Sequence, residues 1–230
     1  MLALLVLWAT LALPLLARSH HSFQRRSDTP FFNPTDRNGS FFASFDPNDR
    51  GPGEPLNVII AGTSSPEVLT DDGIVQYARA IGFSTDCISF ASSSQPQIAL
   101  LGDGNPPQPA LFELREHFGN VATGVCIEQL IGGNHFRVYR QNGTLANSGA
   151  LFLAVSSELN VLHNHTISAD GYNRGRDFFV KGAIGQKTFN GTTYNTTAQN
   201  LTGVMPAGSN NVNHDISVDG NAVLLTVMIM

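Results

Sequence analysis

Apolar residues recur with two different spacings along residues 56–230, and each spacing predicts one kind of element. Residues 56–62 form a short β-branched run that ends in glycine, which is typical of a buried strand. Residues 71–81 place apolar side chains three or four residues apart, as in an amphipathic helix, with Thr70 positioned to cap it and Gly82 to end it. The predicted inward face of this helix consists of Ile74, Tyr77, Ala78 and Ile81.

The second half of the chain predicts more strands than helices. Residues 135–140 alternate between polar and apolar side chains and residues 149–155 form another apolar run, so the Asn-Gly turn signal between them indicates a hairpin. Residues 170–184 predict a short helix with Asp170 as its cap. Residues 222–230 are apolar except for Thr226 and predict a last central strand.

Two further segments complete the predicted fold. A short helix is expected over residues 110–118, whereas Gly and Pro breaks predict an irregular, glycosylated excursion over residues 188–211. Together the elements predict an α+β fold, namely a single domain over residues 56–230 with a mixed sheet, a few short helices and one disulfide.

The amino-terminal segment predicts export from the cell. Residues 1–17 are almost entirely apolar and end in a small residue, Ala17, where a signal peptidase would cut. An apolar core this short is typical of a secretory signal peptide rather than a membrane span, so we expect a secreted, extracellular protein without a stable membrane anchor. Anchoring by an uncleaved signal is the alternative, because no positive side chain precedes the apolar core.

Residues 18–55 differ in composition from the rest of the chain. Asn, Asp, Pro and Gly recur too often there for a helix or a central strand, and phenylalanine pairs stand at 31–32 and 41–42. We predict an arm that is either disordered or extended, with its phenyl rings strapped onto the domain. A segment that contacts a partner once it is exposed is the alternative. The dibasic pair Arg25-Arg26 is a possible processing site.

Charge and glycosylation signals narrow the classes of partner. Charged residues make up only 13% of the chain and the net charge is −5. A basic stripe for nucleic acid is missing, as are the glycine-rich loops that hold nucleotide phosphates, so neither partner is expected. Six N-x-S/T sequons predict a glycoprotein with its sugars on solvated loops. The acceptors are Asn38, Asn142, Asn164, Asn190, Asn195 and Asn200.

The chain has two cysteines, Cys87 and Cys126. In an oxidising compartment such a pair favours a disulfide, which would stabilise the fold by about 4 kcal/mol on the chain-entropy model. A catalytic cysteine or a metal thiolate would need a local motif, and neither cysteine lies in one.

His163 and His165 are the most suggestive pair for metal chemistry. If they lie on a strand, their side chains share one face while a glycosylated Asn164 points to the other, and imidazoles suit zinc, copper or iron. The candidates for a third ligand are His135, His214, Asp170 and Asp177. The alternative is a pair of surface or hydrogen-bonded histidines, in which case no cofactor is expected.

Arginines near the predicted hairpin and the helix after it form a second candidate site. They are Arg137, Arg140, Arg174 and Arg176. With Asp177 they suggest a clamp for a carboxylate or phosphate ligand, or else a structural network in which Asp170 and Asp177 hold arginines across the sheet. The nucleophile motifs G-x-S-x-G, S-x-x-K and H-E-x-x-H are absent, so no catalytic residue is assigned.

Five segments, in their order along the chain, resemble the LssY-like C-terminal domain family. They are residues 57–62, 77–83, 135–140, 165–167 and 170–177. The resemblance covers residues 56–230 and implies the fold of that family, for which no activity is established. In bacteria the domain often follows a membrane phosphatase, but the phosphatase signature is absent here, so the resemblance does not imply that chemistry.

These observations lead to one expected function and one alternative. We expect a secreted glycoprotein of the LssY-like C-terminal family with a binding or structural role toward an unknown extracellular ligand, and with no enzymatic activity indicated. The alternative is a secreted metal-dependent hydrolase or metalloprotein centred on His163 and His165.

Overall fold

The computed structural model describes residues 28–46, 51–85 and 97–230. The predicted signal peptide, the pair Arg25-Arg26 and Cys87 lie outside the described residues. Within these ranges the chain forms two sheets and three α-helices. The helices are α1 Asp71–Ile81, α2 Gly124–Ile131 and α3 Gly171–Ala183. Short 3-10 helices span Pro34–Arg37, Val161–His163 and Asn213–Asp215.

The strands differ widely in length, and the longest two form one hairpin. In chain order they are β1 Phe42–Ser44, β2 Gly53–Pro55, β3 Val58–Ile60, β4 Phe83–Thr85, β5 Ile98–Ala99, β6 Gln108–Pro109, β7 Phe112–Glu116, β8 Gly133–Gly143, β9 Ala146–Glu158, β10 Gly185–Phe189, β11 Thr192–Leu201 and β12 Ala222–Ile229.

The main sheet has eight strands in the order β10-β11-β12-β3-β9-β8-β7-β4. Only β12 and β3 pair in parallel, and the other neighbours are antiparallel. A smaller sheet has the order β2-β1-β5-β6. A mixed sheet with a few short helices in a single domain confirms the predicted α+β class. No helix within the described residues is long and apolar enough to cross a membrane.

Local sequence accounts for the elements that were predicted correctly. The Thr70 hydroxyl accepts a hydrogen bond from the Gly73 backbone N–H at 3.0 Å and caps α1, and Gly82 ends the helix with a φ of 109°. The strand at 58–60, the hairpin of β8 and β9, the helix α3 and the last strand β12 are likewise confirmed. Asp170 precedes α3, but its side chain makes no capping bond to the helix backbone, so that part of the prediction is wrong.

Two hydrophobic clusters lie on opposite faces of the main sheet. On one face α1 and α3 cover the sheet, and the rings of Phe83, Phe136 and Phe179 meet with centroids 5.0–5.3 Å apart. On the other face the small sheet lies over a second cluster. There the rings of Phe31 and Phe41 from the amino-terminal arm lie 6.1 Å from that of Phe152. The described part of the arm is therefore packed against the domain.

The predicted conformations of two segments were wrong. Residues 110–118 contain the strand β7 instead of a helix, because pairing with β4 and β8 on either side decides the conformation of so short a segment. Residues 188–211 contain most of a hairpin rather than an irregular excursion. Its turn, Asn190-Gly191, has positive φ at both residues, as tight hairpin turns require. Its strand β11 is mostly polar but rich in threonine, whose β-branched side chain favours the extended conformation.

Candidate functional site

Charged side chains occupy the face of the main sheet opposite α1 and α3, where β7, β8 and β9 run side by side. Because side chains alternate along a strand, Leu114 and Phe136 point into the cluster under α1 and α3 while their neighbours point the other way. The polar residues of this face are Glu113, Arg115, His135, Arg137, Ser156 and Glu158. Strand pairing sets Arg115 opposite His135, and His135 opposite Ser156.

Arg115 connects the carboxylates of this face. Its Nη1 donates to Glu158 Oε2 at 2.8 Å and to Glu128 Oε2 of α2 at 3.0 Å, while its Nη2 donates to Glu113. Arg137 makes a second set of ion pairs, with Glu54 at 2.9 Å and Glu113 at 3.0 Å. Among the described residues, two guanidinium groups thus face four carboxylates, so these six groups carry an excess of negative charge when all four carboxylates are ionised.

His135 is completely buried within this cluster. Its Nε2 lies 3.2 Å from Arg137 Nη1 and 3.2 Å from Ser156 Oγ. Because a guanidinium can only donate, Nε2 must accept, and the ring proton of the neutral histidine then sits on Nδ1. Burial lowers the pKa of His135 well below its ordinary value, and the charges of Arg137 and Arg115 lower it further.

The carboxyl group of Glu158 has a pKa close to neutral pH. Burial raises the pKa of Glu158 to about 7, although the charge of Arg115 opposes the shift and Glu128 and Glu113 add to it. Its Oε1 lies 3.3 Å from His135 Nδ1, without the alignment of a hydrogen bond. Near neutral pH this carboxyl can therefore both hold and release a proton.

His165 lies next to Glu158 and is the more exposed of the two. Its Nδ1 is 3.5 Å from Glu158 Oε2 and has no hydrogen-bond partner. The His165 side chain is 30% exposed, whereas that of Glu158 is only 7% exposed. Burial, together with the charge of Arg115, lowers the pKa of His165 and favours its neutral form. We call the group Glu158, His135, His165, Arg115 and Arg137 the Glu158 site.

The structure separates the two histidines that the sequence suggested as a pair. His163 ends the 3-10 helix Val161–His163, and its Nδ1 lies 2.7 Å from Asn160 Oδ1. Asn164 and His165 both have positive φ. The premise of a strand with both imidazoles on one face is therefore wrong. Among the described residues, no three His, Cys, Asp or Glu side chains are arranged to hold a metal ion.

The four arginines that the sequence grouped lie in three separate places. Arg137 belongs to the Glu158 site, whereas Arg140 pairs with Asp71 at the start of α1 at 2.7 Å. Arg176 on α3 binds Asp219 and the adjacent Asp177. The fourth, Arg174, is exposed on α3. Asp170 holds none of them; its carboxylate accepts from Asn173 at 2.6 Å.

Sequence reasoning missed Arg115 and the four glutamates that Arg115 and Arg137 bind, although one signal could have indicated Glu113 and Arg115. The strands β7 and β8 have apolar residues on one face but Glu113 and Arg115, or His135 and Arg137, at the alternating positions. Charges in the middle of a sheet are costly unless they are paired, so two such strands predict a buried network. Glu54 comes from the small sheet, and no local sequence pattern predicts its part in this network.

No model of a known protein family matches the chain, and neither does any curated protein or solved structure.

Proposed function

We propose that this chain is a secreted glycoprotein of the LssY-like C-terminal type, and that its Glu158 site is an acid–base centre for hydrolysis. One observation carries the proposal: a buried carboxyl group with a pKa of about 7 faces a partly exposed histidine whose Nδ1 has no hydrogen-bond partner. Perturbed groups of this kind concentrate at functional sites, because an acid–base catalyst works best with a pKa near the working pH.

The chemistry would use His165 and Glu158 together. A small rotation of His165 lets Nδ1–H donate to the Glu158 carboxylate, which leaves the lone pair of Nε2 to take a proton from water. The resulting hydroxide attacks the electrophilic carbon of the substrate, and the proton then passes to the leaving group. Arg115 holds the Glu158 carboxylate in place, and His135 stays neutral on its other side.

The geometry favours this chemistry over the two sites that the sequence suggested. Metal binding by His135 through Nδ1 would require the proton on Nε2, where the N–H groups of Arg137 already point. An anion clamp would need a guanidinium without a carboxylate, but Arg137 and Arg176 each have carboxylate partners. A binding role for a polar extracellular ligand remains compatible with the same site.

Hydrolysis of p-nitrophenyl acetate by the secreted, glycosylated chain tests the proposal. We expect the rate to rise with pH through about 7, because both Glu158 and His165 must be unprotonated. Glu158→Gln and His165→Ala should each lower the rate by roughly 100-fold. His163→Ala is the matched control, because His163 lies two residues before His165, is not part of the site and should leave the rate unchanged.

Two results would overturn this proposal. The first is a rate that is the same in Glu158→Gln and in the wild-type chain. The second is activity that chelation removes and that zinc, copper or iron restores, with near-stoichiometric metal measured by elemental mass spectrometry; it would favour the metal-dependent alternative. Activity that persists in the metal-free protein supports the acid–base centre.

The predicted covalent features remain part of the proposal. Of the six acceptor asparagines, five are exposed and Asn195 is half-buried, as attachment of sugars requires. The Cys87–Cys126 disulfide is proposed because two cysteines in an oxidising compartment favour a bridge. Peptide mapping of the secreted protein under non-reducing conditions should find the Cys87–Cys126 peptide pair, and enzymatic deglycosylation should convert the occupied asparagines to aspartates.

A further inference from the structure

Six large aliphatic side chains are exposed beside the Glu158 site. They belong to α2 and to the segment after β9, and we call them the apolar patch: Ile127, Leu130, Ile131, Leu159, Val161 and Leu162. Leu162 is 85% exposed and Leu130 is 63% exposed. Scattered exposed apolar residues are ordinary, but a contiguous group of this kind marks a binding surface.

The two segments of the patch lie directly against each other and against the site. A Cβ on Gly132, at the end of α2, would lie 2.6 Å from the Leu159 carbonyl carbon, so the helix end touches the backbone after β9. Leu159 follows Glu158 in the chain. Glu128 of α2 and Glu158 also share Arg115. The apolar patch therefore borders the Glu158 site.

The charge of the site selects among ligands with an apolar part. Four carboxylates against two guanidinium groups disfavour a fatty-acid anion or a phosphate headgroup near His165. A neutral ester has no such penalty, and its carbonyl carbon is the electrophile that a hydroxide formed at His165 would attack. The alkyl chain of such an ester would cover the apolar patch and remove both surfaces from water.

We infer that the substrates are neutral esters with a long acyl chain, which lies on the apolar patch while the ester group meets His165. This inference rests on the proposed hydrolytic function. Water adds its hydroxyl to the acyl carbon, the acyl C–O bond breaks, and the proton taken up by His165 goes to the departing alcohol. The products are one carboxylic acid and one alcohol.

A series of p-nitrophenyl esters from acetate to decanoate, each below its micelle-forming concentration, tests the inference. We expect kcat/KM of the wild-type chain to rise at least about 10-fold along the series, because part of each added CH₂ is buried. In the double variant Leu130→Ser, Leu162→Ser this rise should disappear. Both side chains are exposed, so the variant should fold, which circular dichroism checks.

Leu145→Ser is the matched control. Leu145 is 62% exposed, but it lies in the turn between β8 and β9, at the opposite end of the hairpin from Glu158. The control should keep the full dependence on chain length. The inference would be overturned if kcat/KM depended equally on chain length in the double variant and in the wild type. Tighter binding of the decanoate anion than of neutral decanoate esters would overturn it as well.

The outcomes also separate this inference from the function on which it rests. Hydrolysis of acetate that depends on Glu158 but does not increase with chain length contradicts the apolar patch and leaves the acid–base centre intact. Saturable binding of a fluorescently labelled decanol, lost in the double variant, supports the patch even if no ester is hydrolysed. If the protein binds phosphatidylcholine vesicles but shows no saturable binding of the monomeric decanol, the patch is a membrane-binding surface and the inference is overturned.

Discussion

The side chain of Asn57 makes two hydrogen bonds with the backbone of Val155. Its Nδ2 donates to the Val155 carbonyl at 2.9 Å and its Oδ1 accepts from the Val155 N–H at 3.1 Å. The same Nδ2 donates to the carbonyl of Tyr172 at 3.0 Å. One buried amide therefore joins the start of β3 to the first turn of α3 and to β9, the strand that ends in Glu158.

Replacing this amide tests its contribution to stability. Asn57→Asp removes both donated bonds and places a carboxylate against two carbonyl oxygens, so we expect a loss of about 3 kcal/mol in the free energy of unfolding. Urea denaturation at neutral pH measures the change. Asn210→Asp, on an exposed loop, should change it by less than about 0.5 kcal/mol. A loss as small as in Asn210→Asp would mean that the amide contributes little.

Gly175 of α3 allows the helix to touch β9. A Cβ at this position would lie 2.6 Å from the Ser156 carbonyl carbon, which is closer than real contacts permit. We expect Gly175→Ala to lower the free energy of unfolding by about 2 kcal/mol, although alanine favours a helix. At Gly182, in the last turn of the same helix, a Cβ would meet only the Ile81 carbonyl oxygen at 3.2 Å.

Gly182→Ala is therefore the control for helix propensity. The change should be neutral or stabilising by up to about 1 kcal/mol, because propensity then outweighs the single close contact. Thermal unfolding followed by circular dichroism compares the two variants. Equal midpoints for Gly175→Ala and Gly182→Ala would contradict the close approach of α3 to β9.

The bidentate pair of Arg176 and Asp219 holds α3 to the loop before β12. The two guanidinium nitrogens donate to the two carboxylate oxygens at 2.7 and 2.9 Å. Burial opposes the ionised form, but the hydrogen bonds from Arg176 keep the pKa of Asp219 below its ordinary value. Arg176→Ala should cost about 2 kcal/mol of stability, because it also removes a largely buried stem.

Two further variants separate the pair from the helix surface. Arg174→Ala changes an exposed neighbour and should be neutral within about 0.5 kcal/mol. Arg176→Lys should recover less than half of the loss, because an ammonium group cannot bond both carboxylate oxygens in the same geometry. Full recovery by lysine in urea denaturation would show that charge alone matters at this position.

Glu158 makes stability depend on pH in a definite direction. Its pKa rises from 4.5 in the unfolded chain to about 7 in the fold. Between these values the folded chain holds a proton that the unfolded chain releases, so the contribution of Glu158 to the free energy of unfolding falls as pH rises. Above about pH 7 the cost of the ionised carboxyl is complete, roughly 3 kcal/mol.

Glu158→Gln removes this titration and isolates it from other groups. His135 and His165 have lowered pKa values and act in the opposite direction, so the wild-type curve alone would conceal the effect. We expect the stability of Glu158→Gln relative to the wild type to increase by roughly 2–3 kcal/mol from about pH 5 to about pH 8. Urea unfolding at several pH values measures the difference. A difference that stays constant with pH would contradict a raised pKa.

The sequence predicted those elements whose conformation is determined by residues close together in the chain. Thr70 and Gly82 bracket α1 with a cap and a stop, and the alternation over residues 135–140 marks β8. The strand β7 could not be recognised in the same way, because five residues become a strand only when β4 and β8 pair with them. Polar threonines similarly concealed β11, which exposes much of both of its faces.

The contact between His165 and Glu158 depended on a part of the fold that no local pattern encodes. His165 was singled out from the sequence, but for a pairing with His163 that the 3-10 helix rules out. Its actual neighbour, Glu158, ends a strand seven residues earlier, and the chain brings them together by turning back through two residues of positive φ. The pKa of Glu158 follows from burial, which is a property of the complete fold.

The pairing of β12 with β3 has a consequence for how the protein forms. Val58 and Val223 are far apart in the chain, yet they lie side by side in the middle of the main sheet. Until residues 222–229 are in place, β3 and β11 both present unpaired backbone edges, which are templates for association with other chains. Assembly of the sheet is therefore dominated by non-local contacts, for which folding is slow. Chaperones of the compartment in which the chain folds would meet it first through those two open edges.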